Sequence, residues 1–304
     1  MISIQQMQYI LALSEEQHFQ RASEKCFVTQ PTLSMQLKKA ENTLGSPIFD
    51  RSTTPLELTL FGESLLPIVR DVLSEYERIR ELTERQKGNF NERLRLGIIP
   101  TVADYMVPDM FNQWKRELSH LQLSIVEMKT EDILLALDQK RIDLGILAGP
   151  VNDRKLRTTV LFQEEILAFV PESSASEITT EDLANHHPWL LTSGNCLRTQ
   201  MIHFCSLRSE HDDWNYEGGN MELLKEMVGL NGGYTLIPER SVGKRTADYK
   251  RIRSAIGEIP ARQIIALSPN RTTKWGSVEQ IVRSVQLFYG EKKAGEELKL
   301  LSWE

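Results

Sequence analysis

Apolar side chains near the start of the chain recur at the spacing of a helix that buries one face. Steps of four, three and four residues predict an amphipathic helix. The members of this stripe are Leu33, Leu37, Ala40 and Leu44. Thr29 is a good N-cap for the helix, Pro31 suits its first turn, and Gly45 suits its end. A shorter helical pattern over residues 19–25 and a turn at 26–28 precede it, so we predict a helix-turn-helix.

The opposite face of the second helix carries short hydrogen-bonding side chains followed by two cations. Such side chains read base edges in the major groove, and cations hold phosphates. Segments 48–49 and 56–58 flank a turn-rich stretch and predict a two-stranded wing. The candidate DNA-contacting residues are Thr29, Gln30, Pro31, Thr32, Ser34, Gln36, Lys38, Lys39 and, in the wing, Arg51. Other small helical domains also show such stripes, and residues 1–60 hold five Lys/Arg against six Asp/Glu, so periodicity and charge leave DNA binding undecided.

A single long, highly charged helix is predicted over residues 59–87. Its apolar positions follow a heptad-like seam of two to three repeats. The seam consists of Leu65, Val69, Val72, Tyr76, Ile79 and Leu82. A helix of this length runs roughly 40 Å, which is too long to bury on a small head domain alone. We expect the seam to pair with its twin in a dimer, and packing against the same chain is the alternative.

From about Arg93 onward, apolar strands alternate with amphipathic helices. The alternation predicts an α/β region with a mainly parallel sheet, long enough for two subdomains with a cleft between them. The predicted strands are 94–100, 121–128, 143–147, 166–170, 234–237 and 264–267, and a last helix covers 277–289. Thr101 and Thr130 fall at predicted helix starts after strands, where they suit N-caps or contacts to an anionic or polar ligand.

Composition and charge exclude several classes of protein. The net charge of −6 gives no global attraction to nucleic acid or to an anionic membrane, so any such contact needs a local patch. Neither a membrane-spanning apolar run nor a cation ahead of the first apolar residues is present, so we expect no signal peptide. Three cysteines are too few for a secreted disulfide framework, and we expect a cytoplasmic protein. No metal site or cofactor is predicted, because His186 and His187 lack further ligands at suitable spacing.

The order of these segments resembles the LysR-type transcriptional regulators along the whole chain. The matching stretches are Phe19, Ala22, 28–34, Leu37, 41–45, 49–51 and 58–62. The resemblance implies an N-terminal α-helical winged helix-turn-helix domain, followed by an α/β regulatory region of two Rossmann-like subdomains similar to a periplasmic binding protein. The expected limits are 1–58 for DNA binding, 59–87 for the linker and dimerisation helix, and 88–304 for the redox-sensing regulatory domain. Within the last, subdomain I covers about 93–163 and 268–304, and subdomain II about 164–267.

Within this family, the regulatory region resembles the regulators that sense hydrogen peroxide. The matching stretches are 97–101, Thr130 and above all 194–205. The resemblance implies a peroxide-reactive cysteine at Cys196 and a resolving cysteine at Cys205. Asn195 stands where these regulators have His, and Arg271 is the nearest candidate for an Arg that they bring to the reactive cysteine. The expected peroxide or effector pocket comprises Pro100, Thr101, Thr130, Asn195, Arg198 and Arg271.

The chemistry of the two cysteines depends on a thiolate and on a change of shape. A helix start or the nearby Arg198 favours the thiolate at Cys196, which peroxide converts to a sulfenic acid that a second thiol captures. If residues 196–205 form one helix, its ends lie roughly 13 Å apart, and a disulfide requires that segment to unwind. Without the resemblance, both cysteines would be interpreted as inert buried thiols, as Cys26 is.

The resulting hypothesis is a cytoplasmic, DNA-binding regulator, not an enzyme, that senses peroxide through a reversible Cys196–Cys205 disulfide and controls oxidative-stress genes. The resemblance implies a homotetramer built as a dimer of dimers, operator DNA and RNA polymerase as partners, and activation when oxidised. A LysR-type regulator with a small-molecule effector in the cleft is the first alternative. A thiol peroxidase ranks lower, because a C-x-x-C motif is missing and the winged head is present.

Overall fold

The computed structural model describes residues 1–86, 92–192, 196–204, 218–242, 246–254, 256–270, 272, 274–290 and 298–301. The chain divides into two compact units, residues 1–90 and residues 91–304. Across the described ranges, no helix combines the length and the apolar character that crossing a membrane requires.

The N-terminal unit is a helix-turn-helix with a small wing, as predicted. Its elements are α1 (Ile4–Glu16), α2 (Phe19–Lys25), α3 (Gln30–Leu44), β1 (Phe49–Asp50), β2 (Glu57–Leu58) and α4 (Leu60–Gln86). Thr29 caps α3 by accepting a hydrogen bond from the Thr32 amide, and Gly45 ends it in the left-handed conformation. The predicted stripe is buried at Leu33, Leu37 and Ala40, where it packs with apolar side chains of α1 and the wing. β1 and β2 pair antiparallel.

The long helix α4 is only partly free for a partner. The predicted seam assigned Val69 to a contact between chains, but its side chain is 1% exposed within the single chain. α4 packs against α1, and Leu66 joins the core of the N-terminal unit. The alternative of packing within the same chain is therefore correct for this stretch. Elsewhere on the helix, Ile68 and Ile79 remain 60% and 61% exposed.

A mixed sheet organises the C-terminal unit. Its strands are β3 (Glu92–Ile98), β4 (Leu121–Glu127), β5 (Leu144–Ala148), β6 (Leu156–Phe169), β7 (Glu177–Thr179), β8 (Thr235–Pro238), β9 (Tyr249–Arg253), β10 (Ile259–Pro269) and β11 (Leu298–Leu300). The order along the sheet is β4-β3-β5-β10-β6-β9-β7, with β11 beside β10 and β8 beside β6. β3 pairs parallel with β4 and β5, whereas β10 pairs antiparallel with β5 and β6. The prediction of a mainly parallel sheet is wrong at its centre, because the predicted strands 166–170 and 264–267 are only parts of two long antiparallel strands.

Helices cover this sheet and complete two hydrophobic cores. They are α5 (Pro100–Glu117), α6 (Thr130–Asp138), α7 (Thr180–Leu183), α8 (Cys196–Phe204), α9 (Met221–Asn231) and α10 (Trp275–Tyr289). β6 runs from the first core at Phe162 into the second at Ile166. Ile252 of β9 packs in the second core, residues 264–267 of β10 pack in the first, and Leu301 packs in the second again. The expected subdomain limits stay a prediction.

Candidate functional site

The outer face of α3 differs in part from the predicted DNA-reading set. Thr29, Gln30, Pro31, Lys38 and Lys39 are exposed, while Thr32, Ser34 and Gln36 are half-buried. Gln36 Oε1 accepts a hydrogen bond of 3.2 Å from Gln6 Nε2 on α1. The Thr29 and Thr32 hydroxyls bond to each other at 2.8 Å. Gln36 and Thr32 therefore each use one hydrogen bond within the domain, which leaves fewer of their polar groups for DNA.

Arg51 serves the wing itself. Its Nη2 lies 2.9 Å from Glu41 Oε2, and Glu41 Oε1 accepts a 2.9 Å hydrogen bond from the Ile48 amide. The guanidinium also lies 5.7 Å from the centre of the Phe19 ring. This carboxylate thus ties the wing to the C-terminal part of α3, and Arg51 keeps its remaining N–H groups for other contacts.

Two exposed apolar residues on this face escaped the sequence interpretation. Met35 is 62% exposed on α3, and Phe27 is 96% exposed in the turn before it. The helical stripe that fixed the buried face could have found Met35, because that residue lies opposite Leu33 and Leu37. The turn gave no comparable signal for Phe27.

In the C-terminal unit, two helix starts meet at one edge of the sheet. β3 and β4 are parallel neighbours, and each leads into a helix, α5 and α6. Thr101 and Thr130 are buried at these helix starts, and Pro100, the first residue of α5, is half-buried. The prediction that the two threonines are N-caps is wrong, because Ile99 and Lys129 hold those positions. Each threonine lies within the first turn, where backbone N–H groups favour a polar or anionic ligand.

A fully buried charge network holds Thr101. From β10, Arg262 donates through Nη1 to Thr101 Oγ1 at 2.8 Å and through Nη2 to the Thr101 carbonyl at 3.1 Å. Its Nε donates to Glu164 Oε1 at 2.8 Å. The Tyr105 hydroxyl donates to the same carboxylate oxygen at 3.0 Å. The side chains of Arg262 and Glu164 are both 0% exposed, so solvent does not screen this pair.

Burial dominates the electrostatics of the network. It raises the pKa of the Glu164 carboxyl, and the charge and hydrogen bond of Arg262 oppose that rise. Burial, followed by the charge of Glu164, raises the pKa of Tyr105 well above its usual value, so its hydroxyl stays a neutral donor. The network therefore depends on Arg262 to keep a carboxylate in an apolar setting.

The two threonine hydroxyls differ in what they offer to a ligand. Because Thr101 Oγ1 accepts from Arg262, its own proton is free to be donated into the site. Thr130 Oγ1 is buried without a hydrogen-bond partner among the described residues. Burying such a hydroxyl costs free energy unless a ligand or an ordered water molecule supplies the missing hydrogen bond.

Farther along α5, Asp104 carries a perturbed carboxyl group. Although the residue is exposed, partial loss of surrounding water raises the pKa of its carboxyl, the carboxylates of Glu127 and Glu222 raise it further, and Lys225 opposes them. One helical turn separates Asp104 from Thr101. Throughout the part of the chain that the structure describes, no group of three or more His, Cys, Asp or Glu is arranged to hold a metal ion.

The cysteine segment is helical. α8 begins at Cys196 and ends at Phe204, whereas Asn195, Cys205 and Arg271 lie outside the described residues. Leu197 is fully buried in the second core, and Gln200 Nε2 donates to the Leu301 carbonyl at 3.1 Å. Arg198 Nη1 donates to the Leu191 carbonyl at 2.8 Å, a contact that fixes the start of α8.

Arg262 is the charged residue that the sequence interpretation missed. Arg262 contacts Thr101, whereas Arg271, the nearest candidate for an arginine at the reactive site, lies outside the described residues and stays a prediction. A signal was present, since a single cation interrupts the apolar run of β10 and a buried charge in a strand commonly marks a site.

Comparisons with known proteins agree with the two-part organisation. The family model described as "Bacterial regulatory helix-turn-helix protein, lysR family" matches residues 4–63, and "LysR substrate binding domain" matches residues 87–282. A hydrogen peroxide-inducible genes activator of Dickeya chrysanthemi is 30% identical over 299 residues, covering 94% of this chain and 95% of its own.

Two further relatives carry the name OxyR. The DNA-binding transcriptional dual regulator OxyR of Escherichia coli is 31% identical over 245 residues, covering 79% of this chain and 80% of its own. A full-length OxyR variant from Pseudomonas aeruginosa has a similar structure, with a TM-score of 0.75 and 27% identity, covering 94% of this chain and 98% of that one.

Proposed function

Since the chain belongs to the LysR family of transcription regulators, we propose that it senses hydrogen peroxide through a reversible disulfide between Cys196 and Cys205. Its family binds DNA and is not a family of enzymes, and its relatives include hydrogen peroxide-inducible gene activators. The observation that carries the proposal is the helix α8, which begins at the first cysteine and ends one residue before the second.

The start of α8 favours a reactive thiolate. Backbone N–H groups in the first turn of a helix are unpaired and carry partial positive charge, which lowers the pKa of a thiol there. Cys26 has the opposite environment, because burial raises the pKa of its thiol. We therefore expect peroxide to oxidise Cys196 and to spare Cys26.

The length of α8 makes disulfide formation a conformational switch. From Cys196 to Phe204 the helix rises about 12 Å. Cys205 follows Phe204 directly, and adjacent Cα atoms are about 3.8 Å apart, so the two cysteine Cα atoms stay at least roughly 8 Å apart while the helix is intact. A disulfide needs about 7 Å or less, so α8 must partly unwind for the bond to form.

The reaction proceeds in two steps that balance without a further oxidant. The Cys196 thiolate attacks one oxygen of hydrogen peroxide, the O–O bond breaks, and the departing hydroxide takes up one proton to leave as water. The Cys205 thiolate then attacks the sulfenic sulfur, the S–S bond forms as the S–O bond breaks, and the departing hydroxide takes up one proton to leave as a second water. Thr101 can donate its hydroxyl proton to a peroxide oxygen, and the Thr130 hydroxyl, which has no hydrogen-bond partner among the described residues, supplies a second contact.

The proposal includes the assembly and the partners that the family implies. A homotetramer, formed as a dimer of dimers, would place two-fold related α3 helices on operator half-sites. Ile68, Tyr76 and Ile79 are exposed apolar residues of α4 that suit such a contact. Contact with RNA polymerase, activation upon oxidation and a cytoplasmic location complete the proposal.

The test is peptide mapping after treatment with stoichiometric peroxide. The wild-type protein is compared with two variants, in each of which one of the two cysteines is replaced by serine. The wild-type protein should yield a Cys196–Cys205 disulfide with Cys26 still free. Cys196→Ser should abolish oxidation, and Cys205→Ser should stop at a sulfenic acid at position 196 that dimedone traps. The assigned roles would be reversed if dimedone labelled Cys205 in the Cys196→Ser variant as fast as it labels Cys196 in the Cys205→Ser variant.

One observation also favours a small-molecule effector in place of peroxide. The Thr130 hydroxyl is buried beside two helix starts and lacks a hydrogen-bond partner in the part of the chain that the structure describes, so it would serve any small polar or anionic ligand. A double Cys196→Ser/Cys205→Ser variant separates the two functions. Under the peroxide proposal it no longer responds to oxidant, whereas an effector-controlled regulator would retain its full regulatory response to the effector. Catalytic turnover of peroxide beyond stoichiometry, with a reductant present, would instead indicate a thiol peroxidase.

A further inference from the structure

The centre of the outward face of α3 is apolar. Successive residues of a helix are rotated by about 100°, which places Pro31, Met35 and Lys38 opposite the buried Leu33 and Leu37. Met35 stands in the middle of that outward group and is 62% exposed. A large apolar side chain at the most prominent position of this helix gains nothing from the fold of the domain.

The polar neighbours of Met35 are less available than their residue types suggest. Gln36 is bonded to Gln6, and the Thr32 hydroxyl is bonded to Thr29. Lys38 and Lys39, farther along the helix, are exposed cations suited to phosphates. The middle of the face therefore offers the thioether chain of Met35 to whatever fills the space in front of it.

Phe27 adds a second apolar surface at the N-terminal end of the same face. Its side chain is 96% exposed, and its backbone has φ +56°, which is rare for an aromatic residue. Backbone hydrogen bonds hold this turn, from the Phe27 amide to the Glu24 carbonyl and from the Val28 amide to the Ser23 carbonyl. The ring is thus presented to solvent by a fixed turn directly before the residue that caps α3.

We propose that Met35 reads thymine, packing its side chain against the C5-methyl group of a thymine in the major groove of the operator. The thymine methyl is the one apolar feature that base pairs present in that groove, and apolar side chains recognise it. The exposed cations beside Met35 match the phosphates that flank such a base. Phe27 packs against the sugar–phosphate edge of the groove, where its contact is independent of sequence. The inference rests on DNA binding by the helix-turn-helix and not on peroxide sensing.

The test combines a protein variant with removal of a single DNA methyl group. Duplexes enriched from a random library by the full-length wild-type protein supply the probe, and each thymine is replaced in turn by deoxyuridine. Dissociation constants are measured by fluorescence anisotropy at one fixed salt concentration, since phosphate contacts make affinity salt-dependent. Wild-type protein should lose about fourfold in affinity at one thymine per half-site, the equivalent of one buried methyl group.

Met35→Ala should bind the thymine and the deoxyuridine duplexes equally. Asn42→Ala, at another exposed position of α3, is the matched control and should keep the wild-type sensitivity to the methyl group. Phe27→Asn introduces a residue that tolerates the left-handed backbone at this position. This variant should bind specific and random duplexes more weakly by the same factor, and it should still distinguish thymine from deoxyuridine. A wild-type protein indifferent to every deoxyuridine, or a Met35→Ala variant that still senses the methyl group, would overturn the proposal.

Discussion

Replacing Arg262 by Met should destabilise the C-terminal unit far more than removal of an arginine from an exposed ion pair. The substitution removes three hydrogen bonds at once, two to Thr101 and one to Glu164. It also leaves the Glu164 carboxyl buried at 0% exposure without its cation. Breaking a buried pair in this way costs about 3–5 kcal/mol of unfolding free energy.

Arg253→Met, on strand β9 of the same sheet, is the matched control. Arg253 bonds Glu177 through Nε at 2.8 Å and Nη2 at 2.9 Å, a two-pronged geometry at least as good as that of Arg262 with Glu164. Because the two side chains of this pair are each more than one-third exposed, solvent screens the interaction. Its loss should cost at most about 1 kcal/mol.

The pH dependence of Arg262→Met follows from the raised pKa of Glu164. Without the opposing arginine, the folded-state pKa of this carboxyl rises further above its unfolded value. The folded variant then binds a proton that the unfolded chain does not, so its stability increases as pH falls through that raised pKa. Glu164→Gln added to Arg262→Met should restore part of the lost stability at neutral pH, since an amide needs no counter-charge.

Urea unfolding followed by tryptophan fluorescence measures these changes in the stability of the C-terminal unit. All five tryptophans of the chain lie beyond residue 90, so the signal comes from the C-terminal unit alone. A loss of less than 1 kcal/mol for Arg262→Met, or a loss equal to that of Arg253→Met, would refute the reasoning. So would a destabilisation that is independent of pH.

Three other predictions concern assembly, acid response and DNA reading. Ile68→Glu combined with Ile79→Glu should sediment as a smaller oligomer, and unchanged mass would show that this face of α4 has no partner copy. Asp104→Asn should stabilise the C-terminal unit at neutral pH but not in acid. The pKa of Asp104 is raised in the folded state, so ionisation of this carboxyl destabilises the folded protein as pH rises. Equal urea midpoints for variant and wild type at neutral pH would contradict this. Gln30→Ala should weaken operator binding by about 1–3 kcal/mol if Gln30 reads a base, measured by anisotropy at fixed salt. Gln36→Ala should have a smaller effect, since that side chain is bonded within the domain, and the reverse order would exclude Gln30 as the principal reader.

Features set by neighbouring residues could be predicted from the sequence. The cap at Thr29, the stop at Gly45 and the burial of the α3 stripe all depend on spacing within one helix, and each is confirmed. The start of α8 at Cys196 follows the same logic, because an amphipathic pattern begins there. The family itself was recognisable from short local motifs in the first 62 residues and in the cysteine segment.

Features set by strand register could not be predicted in this way. Arg262 and Glu164 are partners across β10 and β6, although 98 positions separate them in the chain. That register holds Arg262 where it also reaches Thr101, a contact that spacing along the chain does not reveal. Likewise, the bond between Gln6 and Gln36 depends on how α1 crosses α3, which spacing along either helix does not reveal.

Hydrogen exchange across α8, read by mass spectrometry before and after one equivalent of peroxide, tests the central claim most directly. The reduced protein should protect the amides of residues 200–204, because those amides bond within an intact helix that Leu197 and Gln200 hold to the second core. Oxidation should produce the Cys196–Cys205 disulfide and abolish that protection in the same sample. A disulfide that forms while α8 stays protected, or an oxidised protein in which both cysteines remain unlinked, would contradict the account.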